Sequence, residues 1–226
     1  MSIIFAIDGP AAAGKGTLAK RLEDHFKLSK LDTGLLYRAT GFKVVAGGGD
    51  PEDAEVAEAA ARALDPAELD NPALRTDEAA QAASKVSAVP GVRAALLDFQ
   101  RNFAGNPPLL SDGTPAKGAI LDGRDIGTVV CPEADVKLFI KADSKARMER
   151  RARQFEARGQ PVDRYALYHQ IEERDARDRA NPNGAFYPAA DAHLLDTTRL
   201  DIEAALRAAI AIVDEAIARK AGRYSS

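Results

Sequence analysis

Short apolar runs alternate with segments of helical periodicity along most of the chain. The runs of strand length cover residues 3–7, 119–121 and 136–140, with a weaker one at 193–195. Continuous apolar strands separated by helical segments are typical of a parallel sheet whose two faces are covered by helices. We therefore predict an α/β fold.

Helical periodicity is clearest at the two ends of the chain. Residues 15–26 form a helical pattern directly after the first strand. The last helix is predicted from an apolar face that begins near residue 202, with Thr198 and Asp201 as a capping pair at its start. That face consists of Ile202, Leu206, Ile210, Val213 and Ile217.

The middle of the chain has a different composition. Residues 47–90 are rich in alanine and acidic residues and are punctuated by four prolines, which favours short helices. A polar loop at 105–118 then leads to the next core strand. We expect one domain with an inserted, mainly helical segment.

Composition excludes several classes of protein. With 226 residues, 46% hydrophobic and 29% charged, the chain is long enough and apolar enough to bury a core, and no apolar stretch approaches the length of a membrane span. Cys131 is the single cysteine, so no internal disulfide can form, and the start of the sequence has no basic leader. We expect a cytoplasmic protein with no membrane partner.

Charge is distributed unevenly around a net value of −3. The negative balance argues against a non-specific nucleic-acid binder, which needs surplus lysine and arginine. Residues 50–78 carry ten acids against two arginines, whereas residues 145–179 carry ten bases against seven acids. The basic segment is either a binding surface for an anionic ligand or a solvated helix face, and charge alone leaves both interpretations open.

The segment between the first strand and its helix has the chemistry of nucleotide phosphate binding. Glycines let backbone amides turn inward, the helix start adds free N–H groups and a positive dipole end, and a lysine can reach the β- and γ-phosphates. Strict phosphate loops place serine or threonine directly after the lysine, but here glycine intervenes. The alternative is an ordinary glycine turn between strand and helix. The segment consists of Gly9, Pro10, Ala11, Ala12, Ala13, Gly14, Lys15, Gly16 and Thr17.

Further motifs connect this loop to a known family. The Gly-Lys-Gly-Thr ending resembles the nucleoside monophosphate kinases. Residues 31–38 (LDTGLLYR), 122–130 (DGRDIGTVV) and 174–178 (RDARD) make the chain similar to bacterial cytidylate kinases over nearly its whole length. The resemblance implies the P-loop NTPase fold and an ATP-dependent transfer of phosphate to CMP, with dCMP as a further substrate, giving CDP or dCDP and ADP. It also implies Mg²⁺ bound with ATP and a monomer.

The same resemblance divides the single domain, residues 1–226, into three parts. A core comprises residues 1–32, 116–145 and 165–226. A helical segment at about 33–115 is implied to bind the nucleoside monophosphate, and a short lid spans about 146–164. Some relatives carry a longer insert with a small antiparallel sheet, but residues 64–74 are too short and too rich in proline for one.

Base recognition requires side chains that complement cytosine. Its exocyclic amine donates and its N3 and O2 accept, so a reader pairs a carboxylate with a guanidinium. The resemblance assigns Asp125 to the amine, Arg93 to the ring acceptors and Ser84 to a further polar contact. Taken singly, each of these residues is also compatible with a structural hydrogen bond.

The remaining nucleotide contacts are likewise implied by the resemblance. Arg38 and Arg124 are assigned to the CMP phosphate, which needs a fork of positive charge. Two neighbours on the chain, Thr33 and Tyr37, are placed near the nucleotide. A further pair is assigned to the ribose, although its spacing of four residues on a helix also fits a surface ion pair. That pair is Arg174 and Asp178.

The lid carries a cluster of arginines. Closure of such side chains over the γ-phosphate neutralises charge and excludes water. We expect Arg150 and Arg151 to act in catalysis, and the sequence does not separate them from two neighbours, Arg147 and Arg153.

A magnesium ion requires oxygen ligands beside the phosphates. Thr17 and Asp122 are the candidate ligands, the latter acting either directly or through water. Asp122 is equally interpretable as an aspartate of a strand-end turn.

Two residues depart from the family pattern. Asn181 stands where many relatives carry arginine, so either Arg179 turns inward or another arginine replaces it. Ala12 replaces a usual glycine, and we expect its methyl to be tolerated with the backbone at negative φ.

Other functions remain as alternatives. A kinase for UMP or AMP shares the phosphate loop, and a nucleotide-dependent switch is a candidate of another class. Switch GTPases read guanine with an Asn-Lys-x-Asp run, which this chain lacks.

Overall fold

The computed structural model describes residues 2–181 and 186–223, and these residues form a five-stranded sheet in the order β2-β3-β1-β4-β5. Every neighbouring pair of strands is parallel, which confirms the predicted fold class. The strands are β1 (Ile3–Asp8), β2 (Ser29–Asp32), β3 (Gly118–Asp122), β4 (Val136–Lys141) and β5 (His193–Asp196).

Helices connect the strands and cover both faces of the sheet. They are α1 (Lys15–Phe26), α2 (Thr33–Ala46), α3 (Ala54–Arg62), α4 (Asp77–Val86), α5 (Pro90–Gly105), α6 (Ser144–Glu156), α7 (Arg164–Ala180) and α8 (Ile202–Arg223). Short 3₁₀ turns lie at Pro66–Asp70 and Pro72–Arg75, and a single π-turn lies at Ile126–Val130. Within the described residues, no helix is both long and apolar enough to cross a bilayer.

Two apolar layers hold the helices on the sheet. Alternate side chains of a strand point to opposite faces, so Phe5 and Ile7 pack on the layer that contains α1 and α8. Ala6 faces the other layer, which includes side chains of α2, α3 and α5. Burial on both faces explains why the central strands are continuous apolar runs.

Strand β2 was not among the predicted strands. Its sequence, SKLD, alternates buried and half-buried positions and contains one aliphatic residue, so it has no apolar run. Pairing with β3 creates the strand: Leu31 lies opposite Leu121, and Asp32 lies opposite Asp122. The structure thus adds an edge strand that brings two carboxylates side by side.

The segment between β2 and β3 is helical, as predicted. It consists of four helices and two 3₁₀ turns, followed by the loop that leads to β3. Helices α2 and α4 approach closely at Gly41, where a Cβ atom would lie 2.8 Å from the backbone of Ala82. Alanine-rich sequence in α4 lets the two helix backbones come this near.

The start of α8 differs from the prediction. Asp201 alone caps the helix, since its side chain accepts from the backbone N–H of Ala204 at 2.7 Å. The proposed Thr198 partnership is wrong, because the Thr198 hydroxyl accepts from the backbone N–H of Asp143 instead. The buried face is centred on Ala209 and Val213, whereas Ile202 is 54% exposed.

The backbone of Ala12 contradicts the expected negative φ. Its φ is +59°, in the left-handed region that glycine adopts most easily. Gly9 and Gly14 in the same loop also have positive φ, at +139° and +95°. The loop therefore needs three left-handed positions, and alanine occupies one of them at a cost in strain.

We expect Ala12→Gly to raise the free energy of unfolding by about 0.5–1 kcal/mol, because glycine removes this strain. Ala13→Gly is the matched control: Ala13 has no positive φ and is buried, so the exchange should cost about 1 kcal/mol or more. Urea unfolding of both variants measures the difference. Equal losses in the two variants would contradict the assignment of strain to residue 12.

Candidate active site at the carboxyl edge of the sheet

The phosphate loop leaves β1 at the carboxyl edge of the sheet and enters α1. Gly9 is required by packing, since a Cβ there would lie 2.0 Å from the carbonyl oxygen of Ile140 in β4. Gly14 is the N-cap of α1 and has no side chain to occupy the first N–H groups of the helix. These amides and the positive end of the helix dipole are therefore free to bind an anion.

Lys15 lies buried beneath the loop. Its Nζ donates a hydrogen bond to the carbonyl oxygen of Pro10 at 3.0 Å. Burial and the positive charge of Arg124 lower the pKa of Lys15 to about 7, while Asp122 and Asp32 oppose the shift. A phosphate at this position would favour the charged ammonium, because opposite charge stabilises it.

The strand-end carboxylates of Asp122 and Asp32 flank the start of α1. Burial raises the pKa of Asp122 to about 6, the charge of Asp32 adds to the shift, and Lys15 opposes it. A Cβ on Gly16 would lie 3.4 Å from Oδ2 of Asp122, in ordinary contact. A side chain at position 16 would therefore point at this carboxylate.

The carboxylates and the first turn of α1 supply oxygen atoms of the kind that Mg²⁺ prefers. Thr17, the other predicted ligand, is exposed on that turn. Among the described residues, however, no group of three or more His, Cys, Asp or Glu could hold a metal by itself. The donor set fits an ion that keeps water and phosphate oxygens as most of its ligands.

Two of the residues assigned to base recognition, Arg93 and Asp125, are in contact with each other. Arg93 of α5 forms an ion pair with Asp125, and both side chains are largely buried. Burial raises the pKa of Asp125, and Arg93 opposes the shift. The guanidinium carbon of Arg93 lies 5.9 Å from the ring centroid of Tyr37. Arg93 and Tyr37 line a cavity of about 230 Å³ whose other lining residues are mainly apolar.

Ser84 lies on α4 with its Oγ buried. That oxygen has no hydrogen-bond partner within the described part of the chain. Buried hydroxyls are almost always satisfied, so an unpaired one is expected to find its partner in a ligand or water.

Arginines assigned to phosphate and ribose come together between α2, β3 and α7. Arg38 donates to the carbonyl oxygens of Leu74 and Thr76, at 2.9 and 3.1 Å. Nε of Arg124 donates to Asp178 at 3.0 Å. Both arginines are thus held by groups of the protein in positions where a phosphate could take over their donors.

Arg174 does not form the surface ion pair that its spacing allowed. Asp178 is paired with Arg124 instead, and Nε of Arg174 is buried with no hydrogen-bond partner among residues 2–181 and 186–219. Burial and the neighbouring Arg124 lower the pKa of Arg174 to about 10. A buried, unpaired guanidinium nitrogen is costly and is expected to find its partner in a ligand or water.

Thr33 begins α2 and is also buried. Its hydroxyl donates to the carbonyl oxygen of Asp122 at 2.9 Å. This bond ties the start of α2 to the end of β3, so Thr33 supports the site through the backbone.

The structure separates the four arginines of α6. Arg147 is 3% exposed, forms an ion pair with Asp175 and donates to the carbonyl oxygen of Ala11 in the phosphate loop. Arg150 donates to the carbonyl oxygen of Ala13, and Arg153 is exposed. The first two therefore brace the loop from below.

Arg151 has a different environment. It pairs with Asp77 at the start of α4 and lies over the ring of Phe155 at 4.7 Å. The ion pair joins the segment predicted as lid to the helical segment on the opposite side of the site. Among the four arginines of α6, Arg151 is the one that pairs with α4.

The departure at residue 181 has a local explanation. Nδ2 of Asn181 donates to the carbonyl oxygen of Ser87 at the end of α4. Arg179 is exposed and does not turn inward. The asparagine therefore links two helices.

Sequence reasoning missed three residues that the structure places at the site. Asp8 accepts two backbone N–H groups beyond β3, and Asp77 holds Arg151. Thr197 is buried after β5 and donates to the carbonyl oxygen of Ala13. Of these three residues, only Asp8 could have been found from the sequence, because it is a carboxylate at the end of an apolar strand, directly before the phosphate loop.

Comparisons with known proteins show the family to which the chain is related. Residues 5–215 match the family model described as cytidylate kinase. The cytidylate kinase of Rhodopseudomonas palustris (strain BisA53) is 52% identical over 221 residues, which cover 98% of this chain and 99% of that protein. The cytidylate kinase of Paramagnetospirillum magneticum (strain ATCC 700264 / AMB-1) is 54% identical over 213 residues, which cover 94% and 98%.

A solved structure shares the fold alone. The crystal structure of an uncharacterized protein from Eubacterium ventriosum ATCC 27560 aligns with a TM-score of 0.53 at 16% identity, covering 95% of this chain and 99% of that one. The family match and the two relatives that align over nearly the full length show that the chain belongs to the cytidylate kinase family.

Proposed function

We propose that this protein transfers the γ-phosphate of ATP to CMP, and also to dCMP, giving CDP or dCDP and ADP. The observation that carries the proposal is the buried Arg93–Asp125 ion pair, to which the buried hydroxyl of Ser84 on α4 adds a group without a partner in the described part of the chain. Together these groups offer an acceptor to the cytosine amine and donors to its ring acceptors. Two cytidylate kinases that are 52% and 54% identical to this chain over nearly its full length support the same activity.

Discrimination follows from burial of these groups. Uracil presents a carbonyl where cytosine has its amine, so the Asp125 carboxylate would face an acceptor. A buried polar group left unpaired costs about 1–3 kcal/mol or more. A site of this kind rejects the wrong base far more strongly than an apolar pocket could.

The donor nucleotide is held by the phosphate loop. Backbone amides at the start of α1 point at the β- and γ-phosphates, and Lys15 adds a point charge. Braces from Arg147 and Arg150 fix the carbonyls of Ala11 and Ala13, so that the amides between them stay directed at the ligand. The protein thus supplies geometry and charge before ATP arrives.

The acceptor phosphate is held by Arg38 and Arg124. One of its oxygens attacks the γ-phosphorus in line, forming a new P–O bond while the bond to the β-phosphate oxygen breaks. A nucleotide phosphate is largely dianionic at neutral pH, so no proton has to be removed first. The reaction therefore needs positioning and positive charge but no general base.

We propose that Arg151 is the cation that contacts the γ-phosphate during its transfer. In the structure it is held by Asp77, across the site from α6. Exchange of Asp77 for the γ-phosphate would bring the guanidinium onto the charge that develops during transfer.

Mg²⁺ fits the oxygen-rich edge beside Lys15. We propose that Asp122, with Thr17 nearby, orients the hydrated ion that accompanies ATP. When bound, such an ion neutralises charge on the β- and γ-phosphates. Asp32 lies opposite Asp122 in the sheet register and adds a second carboxylate to the same edge.

The setting of the reaction is part of the proposal. Cys131 is buried and is the only cysteine in the sequence, which suits a reducing compartment, so we propose the cytoplasm. We also propose that the protein acts as a monomer, because each assigned side chain comes from one chain.

A substrate panel tests the reaction and its rivals. ADP release should be fast with CMP and dCMP and at least about 100-fold slower in kcat/KM with UMP, AMP or shikimate, since these compounds leave Asp125 or Arg93 unpaired. A coupled assay of ADP formation measures all five. Equal values for CMP and UMP would contradict the base-reading assignment, and nucleotide binding without turnover would favour a switch.

Removal of the loop lysine tests the donor site. Lys15→Ala should lower kcat by about 100-fold or more with the fold intact, because it deletes one preorganised charge. Lys20→Ala on the exposed face of the same helix is the control and should leave kcat unchanged. An unaltered kcat in Lys15→Ala would refute the donor assignment.

Two arginine variants separate bracing from catalysis. Arg147→Ala leaves buried Asp175 without its partner and should lower the free energy of unfolding by about 3 kcal/mol. Arg151→Ala should lower kcat by about 10³-fold, with a stability loss of under about 1 kcal/mol, because its pair is partly exposed. Chemical unfolding and steady-state kinetics measure both. A kcat of wild-type size in Arg151→Ala would remove that residue from the mechanism.

A further inference from the structure

Asp8 connects the donor strand to the base-reading loop. It is the last residue of β1 and directly precedes Gly9 of the phosphate loop. Its Oδ1 accepts the backbone N–H of Ile126 and its Oδ2 accepts that of Gly127, both at 2.8 Å. These two amides follow immediately after Asp125. The buried carboxylate of Asp8 therefore connects the end of β1 to the two residues that follow Asp125.

The amides that Asp8 binds belong to the π-turn that follows Asp125. Residues Ile126–Val130 form a single π-turn, in which the carbonyl oxygen of Asp125 accepts from both Val129 and Val130. The first N–H groups of any helical turn lack partners within the turn. Asp8 satisfies two of them at once, so it fixes where the turn begins. The backbone of Asp125 lies just before that point.

A second contact ties the same loop to β1. The backbone N–H of Gly123 donates to the carbonyl oxygen of Ile7 at 2.9 Å. The loop from Gly123 to Gly127 is thus attached to β1 at both of its ends, once through the backbone and once through Asp8. Arg124 and Asp125, the proposed phosphate and base contacts, are the residues between the attachments.

Packing around Asp8 leaves little room for movement. Asp8 is 6% exposed, and burial raises its pKa to about 6 against the opposing hydrogen bonds from Gly127 and Ile126. A Cβ on Gly127 would lie 3.3 Å from Oδ2 of Asp8 and 3.2 Å from Cδ of Lys137. Glycine at 127 lets the carboxylate approach the amides this closely.

We infer that Asp8 is a positioning residue, which sets the base-reading loop in register with the phosphate loop by holding the amides of Ile126 and Gly127. This inference rests on the proposed CMP kinase activity. It assigns to Asp8 a share in the choice of base, exerted through the backbone of Asp125, with no contact to either nucleotide.

The test compares two aspartates that each hold backbone N–H groups. Asp8→Asn keeps one acceptor but presents an N–H group to the second amide, so the turn should shift. Asp135→Asn is the matched control, because Oδ2 of Asp135 accepts the backbone N–H of Ile4 at the opposite end of β1. The full-length protein is assayed for KM with CMP, KM with ATP, the CMP over UMP ratio of kcat/KM, and thermal stability.

In Asp8→Asn we expect KM for CMP to rise about tenfold and the preference for CMP over UMP to fall by a similar factor, as for loss of one hydrogen bond to a charged group. KM for ATP should change less than about threefold, because the phosphate loop keeps its own anchors. Asp135→Asn should lower stability without moving either KM or the base preference.

A folded Asp8→Asn protein with wild-type KM for CMP and wild-type base preference would overturn the inference. If this variant does not fold, Gly127→Ala decides instead, since its methyl presses on the Asp8 carboxylate. A rise in KM for CMP with KM for ATP unchanged supports the inference, and no rise overturns it. A wild-type protein that does not prefer CMP would refute the proposed function itself, which separates the two failures.

Discussion

Buried charge at the carboxyl edge of a parallel sheet is the constraint on which this structure depends. Asp8, Lys15 and Asp122 are buried within one small region, and the Nε atom of the half-buried Arg174 is buried as well. Burial disfavours each charged form, so the groups must neutralise one another or be held by amides. The sheet makes this possible, because the carboxyl ends of parallel strands lie along the same edge. The backbone N–H groups at the helix N-termini lie beside that edge and act as hydrogen-bond donors.

The sequence predicted the elements that have strong local signals. Helix α1 was placed at the observed residues, and three apolar runs matched β1, β3 and β4 closely, because strands buried on both faces must be apolar throughout. β2 was missed since pairing with β3, a contact distant along the chain, creates it. Thr198 was misread as a cap for a similar reason, as its partner is Asp143 from another part of the fold.

For the site, the sequence predicted residue identities better than their environments. Lys15, Arg93 and Asp125 were named from motifs, but no motif reports which arginine of α6 is buried or that Arg124 pairs with Asp178. Those facts depend on the packing of α6 and α7. The backbone of Ala12 was predicted wrongly, because alanine seldom adopts a positive φ, and the glycine that relatives usually carry at this position was the only sign of it.

The internal partners of the arginines have a consequence for small anions. Arg124 donates to Asp178, and Arg93 to Asp125, so a phosphate that approaches either guanidinium competes with a carboxylate already in place. Free inorganic phosphate or sulfate, which gains one contact, has little advantage in that competition. A nucleotide that engages base, sugar and phosphate contacts together gains several. If Arg93 and Arg124 have their proposed roles, these carboxylates would weaken the binding of small anions relative to that of the nucleotide.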